Sequence, residues 1–170
     1  MASEAFLKAR SGWNAVINAD AAIREATALA EEMSKENILA SQAKGNEALA
    51  FLEEAQQDFS QAEAAYPSLD LAAFKAYVAK RIESQQAALA ADEAYLSRNK
   101  EELEAQNSRY NALEEEAAAL AQKLGEDDPE QIVALRFYKE IEADQGAYEA
   151  ERLKAGNADA FLREYLGTAS

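Results

Sequence analysis

Apolar residues recur at every seventh position between residues 78 and 124. The row consists of Ile82, Leu89, Leu96, Leu103, Tyr110, Ala117 and Leu124. A strict spacing of seven places these side chains along one seam of a long helix that packs against another helix. We therefore predict one continuous helix over about residues 69–124.

A second row on the same helix is apolar at both ends and polar in its middle. The polar members are Gln85, Asp92, Asn99 and Gln106. They either form the wet edge of a two-helix contact or a polar groove that binds a helix of a partner protein. Because burying charge is costly, the wet edge is the favoured interpretation. The same four residues are the candidate partner-binding site.

The N-terminal part of the chain carries apolar residues at alternating steps of three and four, which predicts a helix over about residues 13–65. The pattern shifts phase by one residue at 44–46, around Gly45, and we expect a kink or break there. Pro67 ends this helix, and Ser68 is placed to cap the next one. A turn this short makes the two long helices antiparallel.

Two shorter helices are predicted after Gly125, which is placed as a helix stop. They cover about residues 129–154 and 158–166, and the first can reach only the end of the hairpin that lies opposite Pro67. We therefore predict one all-α domain over residues 1–170. It is a long antiparallel, coiled-coil-like helical hairpin, thickened to a three- or four-helix bundle at the end opposite Pro67. A hairpin that folds back at 44–46 is the alternative.

Composition and charge agree with this fold class and exclude several functions. The chain has 41 alanines, 6 glycines and 2 prolines, a composition that favours helix. Its net charge of −15 disfavours binding to nucleic acid or directly to anionic membranes, because both need cationic surfaces.

Catalytic chemistry has few residues to use, because the chain contains neither cysteine nor histidine. This excludes Cys–His and Ser–His–Asp nucleophiles and carboxylate–histidine metal sites. The acidic stretch 126–130 lacks the spacing of a calcium loop and is interpreted as a helix cap. We predict no catalytic residue, no metal site and no cofactor, and hence a protein that is not an enzyme.

Aromatic residues at helical spacing suggest a second kind of site. Those predicted to gather at the thick end of the hairpin are Trp13, Tyr110, Phe137, Tyr138 and Tyr148. They either fill the core, which is the commoner use of such residues, or surround a small apolar or cationic ligand.

The favoured functional hypothesis is a non-enzymatic helical interaction or scaffold protein with an unidentified protein partner, and self-association is left open. The chain begins in polar residues without a signal-like apolar run. We expect the soluble part of an exported or surface-attached protein, with a cytosolic protein as the alternative. A small-ligand-binding helical bundle is the second functional hypothesis.

Overall fold

The computed structural model describes residues 2–65 and 71–124, and all regular structure within these ranges is α-helical. The helices are α1 (Ala2–Ala30), α2 (Lys35–Ala65), α3 (Ala72–Leu96) and α4 (Lys100–Leu124). The prediction of an all-α helical bundle is confirmed for this part of the chain. Pro67 and the helices predicted at 129–154 and 158–166 lie outside the described residues.

Neither predicted long helix is continuous. The first starts at Ala2 instead of residue 13, and it is interrupted at 31–34 and not at 44–46. Gly45 lies inside α2, where an added Cβ would come within 2.8 Å of Leu89 Cδ2 and 2.9 Å of Gln85 Nε2. Glycine at this position lets α3 approach α2 closely. The packing gained there offsets the cost of about 1 kcal/mol that glycine carries in a helix.

The interruption at 31–34 has a local cause in its capping groups. The hydroxyl oxygen of Ser34 accepts a hydrogen bond from the backbone N–H of Asn37, at 3.1 Å. This is the geometry of an N-cap, which typically stabilises a helix start by about 1 kcal/mol. Glu31 and Glu32 disfavour continuation of α1, because acidic side chains are unfavourable at the negative end of a helix.

The second predicted helix, over 69–124, is interrupted at 97–99. Arg98 adopts a left-handed backbone conformation, with φ of 56°. The backbone N–H of Arg98 donates to the Tyr95 carbonyl at 3.0 Å, and that of Asn99 donates to the Ala94 carbonyl at 2.8 Å. This is a Schellman ending of α3. Asn99 then caps α4 through its side-chain oxygen, which accepts from the Glu102 N–H at 3.1 Å.

Both interruptions turn the chain back on itself. α1 packs on α2, α2 on α3 and α3 on α4. Gly12 of α1 lies against Phe59 of α2, whereas Glu25, further along α1, pairs with Lys44, earlier in α2. The same reversed order joins α2 to α3 (Glu63–Lys75, Gln42–Glu93) and α3 to α4 (Lys80–Glu116, Ser84–Glu114). Neighbouring helices are therefore antiparallel.

The two ends of the bundle differ in composition. At the end we call the core end, α1 and α3 begin while α2 and α4 finish. Its larger buried side chains are Trp13, Val16, Leu52, Phe59, Leu71, Phe74, Val78 and Leu124. The Phe74 ring lies 6.1 Å from the Trp13 ring and 5.9 Å from that of Phe59, between centroids.

α2 finishes and α3 begins at the same end as the start of α1 and the finish of α4, because both predicted long helices fold back. The opposite end, which we call the turn end, carries the turns 31–34 and 97–99. There the Tyr95 hydroxyl donates a hydrogen bond to the Met33 carbonyl, at 2.8 Å.

Candidate functional site

A cavity of about 310 Å³ lies between all four helices, on the turn-end side of the core. Its walls are Ile23, Ala26, Thr27 and Ala30 from α1, Ser41 and Gly45 from α2, Gln85, Ala88, Ala91 and Asp92 from α3, and Asn107 and Tyr110 from α4. We call it the four-helix cavity. Most of these side chains are small, so the helices touch through glycine and alanine while the space between them stays open.

Gln85 is held firmly in the wall of this cavity. Its residue exposure is 5%, and its amide nitrogen donates to the Gly45 carbonyl at 3.1 Å. A buried amide needs such a partner, because an unpaired polar group costs about 1–3 kcal/mol. This bond also ties α3 to α2 at the point where the two helices come closest.

Asp92 is the charged group of the cavity wall. It is half-buried, and within residues 2–65 and 71–124 its carboxylate has neither a hydrogen bond nor an ion pair. Burial raises the pKa of Asp92 to about 6, because the charged form loses hydration without gaining a partner. The cavity thus presents a carboxylate that is ionised at neutral pH and lacks a compensating charge.

The α4 wall is anchored by a polar network beside the cavity. Burial, together with the nearby Glu114 carboxylate, raises the pKa of Tyr110. Glu114 accepts a hydrogen bond from the Ser84 hydroxyl, at 2.8 Å. Tyr110 therefore presents a neutral phenol to the cavity.

Arg81 joins this network to α1. Its side chain is 11% exposed and donates to the Asp20 carboxylate at 2.5 Å and to the Tyr77 hydroxyl at 2.6 Å. Its Nε lies 3.9 Å from the Glu114 carboxylate. Burial by itself would lower the pKa of Arg81, but Tyr77, Asp20 and Glu114 outweigh it and raise that pKa above its ordinary value. Arg81 is therefore a permanent cation that is already paired with the carboxylates of Asp20 and Glu114.

The sequence prediction did not single out Arg81. Its position just before Ile82 in the apolar seam, four residues after Tyr77, was the available signal. A cation beside a seam can snorkel to water or bind acids on other helices. Only the packing of α1 and α4 around α3 brings Asp20 and Glu114 to it.

The four polar residues of the predicted partner-binding site are separated in the structure. Gln85 and Asp92 line the four-helix cavity. Asn99 lies in the turn and caps α4, while Gln106 lies on α4 and donates to the Glu102 carboxylate at 2.7 Å. The row is broken because the chain reverses between Asp92 and Gln106. That these residues bind a partner stays a prediction.

The predicted aromatic pocket is divided as well. Trp13 packs in the core end against Phe74, whereas Tyr110 lines the four-helix cavity. Phe137, Tyr138 and Tyr148 lie outside the described residues. The two described aromatics therefore belong to different parts of the bundle.

A cavity of about 400 Å³ at the turn end is larger but less suited to a ligand. Its charged residues, Lys35, Arg98 and Lys100, are exposed, and Asn99 uses its side chain to cap α4. Exposed charges interact weakly because water screens them. The four-helix cavity, with a half-buried charge and a buried amide, is the stronger candidate site.

Residues 2–65 and 71–124 contain no group of three acidic, histidine or cysteine side chains able to hold a metal ion. None of the helices described has the length and apolar character needed to cross a bilayer.

Comparison with known proteins gives no match, whether to protein-family models, to curated proteins or to solved structures. A function has to be inferred from the site itself.

Proposed function

We propose that this protein is a non-enzymatic helical bundle that binds a small molecule in the four-helix cavity. The observation that supports this most is a cavity, partly open to solvent, to which all four helices contribute, with polar groups set into an apolar wall. Ligand sites of helical bundles are commonly built between facing helices in this way. A volume of about 310 Å³ is at the lower end of the range for ligand pockets, roughly 300–1,000 Å³, and therefore favours a small ligand.

A bound molecule would offset two costs at this cavity. The small wall residues leave a cleft that makes fewer dispersion contacts than a close-packed interior. The Asp92 carboxylate is half-buried without a partner among the described residues, which adds a desolvation cost. Larger side chains in place of Ala26, Ala88 or Ala91 would remove the first cost, and asparagine at position 92 would remove the second. The combination of both features is typical of a binding site.

A thermal-shift screen of small molecules tests this proposal directly. A ligand present at a hundred times its dissociation constant adds about 2.7 kcal/mol to the stability of the folded state. Ala88→Leu places a larger side chain in the cavity wall and should abolish the shifts. The matched control is Ala76→Leu, an exposed position on the same helix, which should preserve them. Flat melting temperatures across the library, or equal shifts in Ala88→Leu, would contradict the proposal.

A second proposal is the helical interaction or scaffold protein expected from the sequence. The observation that favours it is the exposure of Met33 (58%), in the turn 31–34, and of Leu39 (46%), in the second turn of α2. Exposed large apolar side chains often mark contact sites when they lie together. This proposal includes three further features: coiled-coil-like hairpin packing between α2 and α3, a protein partner, and export from the cell.

The scaffold proposal predicts that Met33→Lys combined with Leu39→Lys abolishes co-purification of a partner, or self-association in sedimentation, without changing small-molecule binding. Unchanged association in the double variant would argue against it.

A further inference from the structure

We infer that the ligand of the four-helix cavity is a small organic monocation with a primary ammonium head, which binds Asp92, and a short apolar tail. This inference rests on the proposed small-molecule function and deepens it by naming the class of ligand. It stands on the placement of Asp92 within the cavity and on the engagement of the neighbouring cations elsewhere.

The cavity wall supplies one negative charge and no described positive charge. α1 and α2 contribute only apolar groups, hydroxyls and a glycine. α3 contributes Asp92, and α4 contributes Tyr110, whose phenol is neutral. A neutral or anionic ligand would leave the carboxylate uncompensated, whereas a cation would satisfy it.

Two cations on the neighbouring helix surfaces, Arg81 and Lys44, are already paired. Arg81 is held by Asp20, Tyr77 and Glu114. Lys44 on α2 lies 2.9 Å from Glu25 and 3.3 Å from Glu47. Neither therefore has to be invoked as a counter-ion for Asp92, and neither lines the cavity.

The other wall groups favour a primary ammonium over other cations. Its three N–H groups need several acceptors, and hydroxyl or amide oxygens are available on Ser41, Thr27 and Asn107 in addition to Asp92. A quaternary ammonium is typically held by a cage of several aromatic rings, and Tyr110 is the one aromatic residue of the described wall. Calcium takes 6–8 oxygen ligands, usually from several acidic groups.

The apolar part of the wall indicates what the rest of the ligand should be. Ile23, Ala26 and Ala30 of α1 form one side of the cavity, and Ala88 and Ala91 of α3 form another. Burial against these side chains would favour binding in proportion to the apolar surface removed from water. A chain of a few carbon atoms fits this lining better than a second charged or hydroxylated group.

Binding of such a cation should be linked to proton release. Burial raises the pKa of Asp92 to about 6, and only the ionised carboxylate attracts an ammonium. Other described titratable groups of the wall do not change state between pH 5 and 7.5, because Tyr110 is the only one and its pKa is raised. With a pKa near 6 only about a tenth of Asp92 is ionised at pH 5, so affinity there should be about tenfold weaker than at pH 7.5.

Isothermal titration calorimetry with two ligands of the same shape tests the inference. Isoamylamine carries an ammonium group throughout this pH range, and isoamyl alcohol replaces it with a hydroxyl. We expect the amine to bind at least tenfold more tightly than the alcohol at pH 7.5. The amine should lose about tenfold in affinity at pH 5, and the alcohol should be unaffected by pH.

Two matched variants assign the effect to one carboxylate. Asp92→Asn should weaken amine binding at pH 7.5 by about tenfold to a hundredfold, the range expected when a hydrogen bond to a charged group is lost. It should also remove the pH dependence. Glu93→Gln removes the same charge from the next residue, which is exposed and accepts from Gln42 at 3.1 Å. This control should change neither the affinity nor its pH dependence.

The outcomes separate the inference from the function on which it rests. Equal binding of amine and alcohol, or amine binding that survives Asp92→Asn, would overturn the ammonium inference but leave a small-molecule site intact. Failure of the amine to bind while library compounds bind in an Ala88-dependent manner would do the same. Failure of every compound would overturn the proposed function as well.

Discussion

The core end and the four-helix cavity use the same helices and the same abundance of alanine, yet they differ in how the space between helices is filled. At the core end the Phe74 ring lies against those of Trp13 and Phe59, and the carboxylate buried beside them, Asp58, accepts a hydrogen bond from the Ser11 hydroxyl. Around the cavity, Gly45 and several alanines bring helices together without filling the space between them.

This difference shows how an alanine-rich bundle can separate stability from binding. Large apolar side chains at one end bury enough area to hold the helices together. The other end can then retain a half-buried carboxylate and an open volume, which would be too costly for a bundle without that core. The predictions below test whether the two regions have these separate roles.

The largest expected difference is between two leucine truncations. Leu52 is fully buried in the core end, whereas Leu103 is half-buried on α4 near the turn end. Leu52→Ala should lower the free energy of unfolding by about 2–5 kcal/mol, as buried leucine truncations do. Leu103→Ala should cost about 1 kcal/mol or less. Urea denaturation measures both, and equal losses would show that the two ends do not differ in packing.

Arg81 should contribute at an intermediate level, because it joins α1 and α4 to α3 between the two regions. Arg81→Met should cost about 2 kcal/mol, less than the 3–5 kcal/mol typical of a fully buried pair. The Asp20 and Glu114 side chains are 36% and 32% exposed and can regain hydration. The control is Lys123→Met, an exposed cation of α4, which should change stability by no more than about 0.5 kcal/mol. Equal effects of the two variants would remove Arg81 as a structural link.

Asp92 should make the cavity region less stable as pH rises. Its folded-state pKa of about 6 lies above the ordinary 3.8, so the folded protein binds more protons than the unfolded chain between these values. Its contribution to stability therefore falls as pH rises from about 4 to 6. At pH 7, Asp92→Asn should be more stable than the wild type by about 1 kcal/mol, a discounted value because the group is partly solvated.

Denaturation curves at several pH values measure this difference, which should shrink toward pH 4 and disappear below about pH 3, because the wild-type carboxyl is then neutral in both states. The matched variant Glu93→Gln should show no comparable trend. A constant difference between wild type and Asp92→Asn from pH 4 to 8 would mean that Asp92 is not desolvated, and the contrast between the two regions would lose its electrostatic part.

The smallest expected effect concerns the turn between α3 and α4. Arg98 has φ of 56°, a conformation that costs a residue with a side chain about 1–2 kcal/mol and glycine almost nothing. Arg98→Gly should stabilise the protein by only about 0.5 kcal/mol. The greater conformational entropy of glycine in the unfolded chain offsets most of the relief of backbone strain. Arg98→Ala loses the same side chain without relieving the strain and should show no gain. A gain in both variants would assign the effect to charge and not to the backbone.

Part of the fold follows from local properties of the sequence. Alanine content and apolar spacing of three and four predict helices, and the buried positions Leu52, Phe59 and Val78 belong to those rows. The polar interruption at Gln85 and Asp92 was also visible as a departure from the apolar seam, and the structure places both residues in the wall of the four-helix cavity. These features depend only on the identity of residues one or two turns apart on a helix.

The two chain reversals, at 31–34 and 97–99, were not predicted from the sequence. Ser34-Lys35-Glu36 and Asn99-Lys100-Glu101 share a cap residue followed by lysine and glutamate, and this was the signal that the prediction missed. Such a cap contributes only about 1 kcal/mol, little compared with the packing of a whole helix. An apolar row with sevenfold spacing, moreover, reads the same whether the helix continues or turns back.

The sequence by itself therefore determined that the described segments are helical, which faces are apolar, and where polarity interrupts the seam. Tertiary structure alone decided that each long helix folds back at 31–34 and 97–99, that Gly45 serves a close helix contact, and that Arg81 meets Asp20 and Glu114. The physical reason is range. Helix formation and periodicity are set by neighbours within a few residues, whereas cavities, buried charges and chain reversals depend on which distant surfaces come together and how much area they bury.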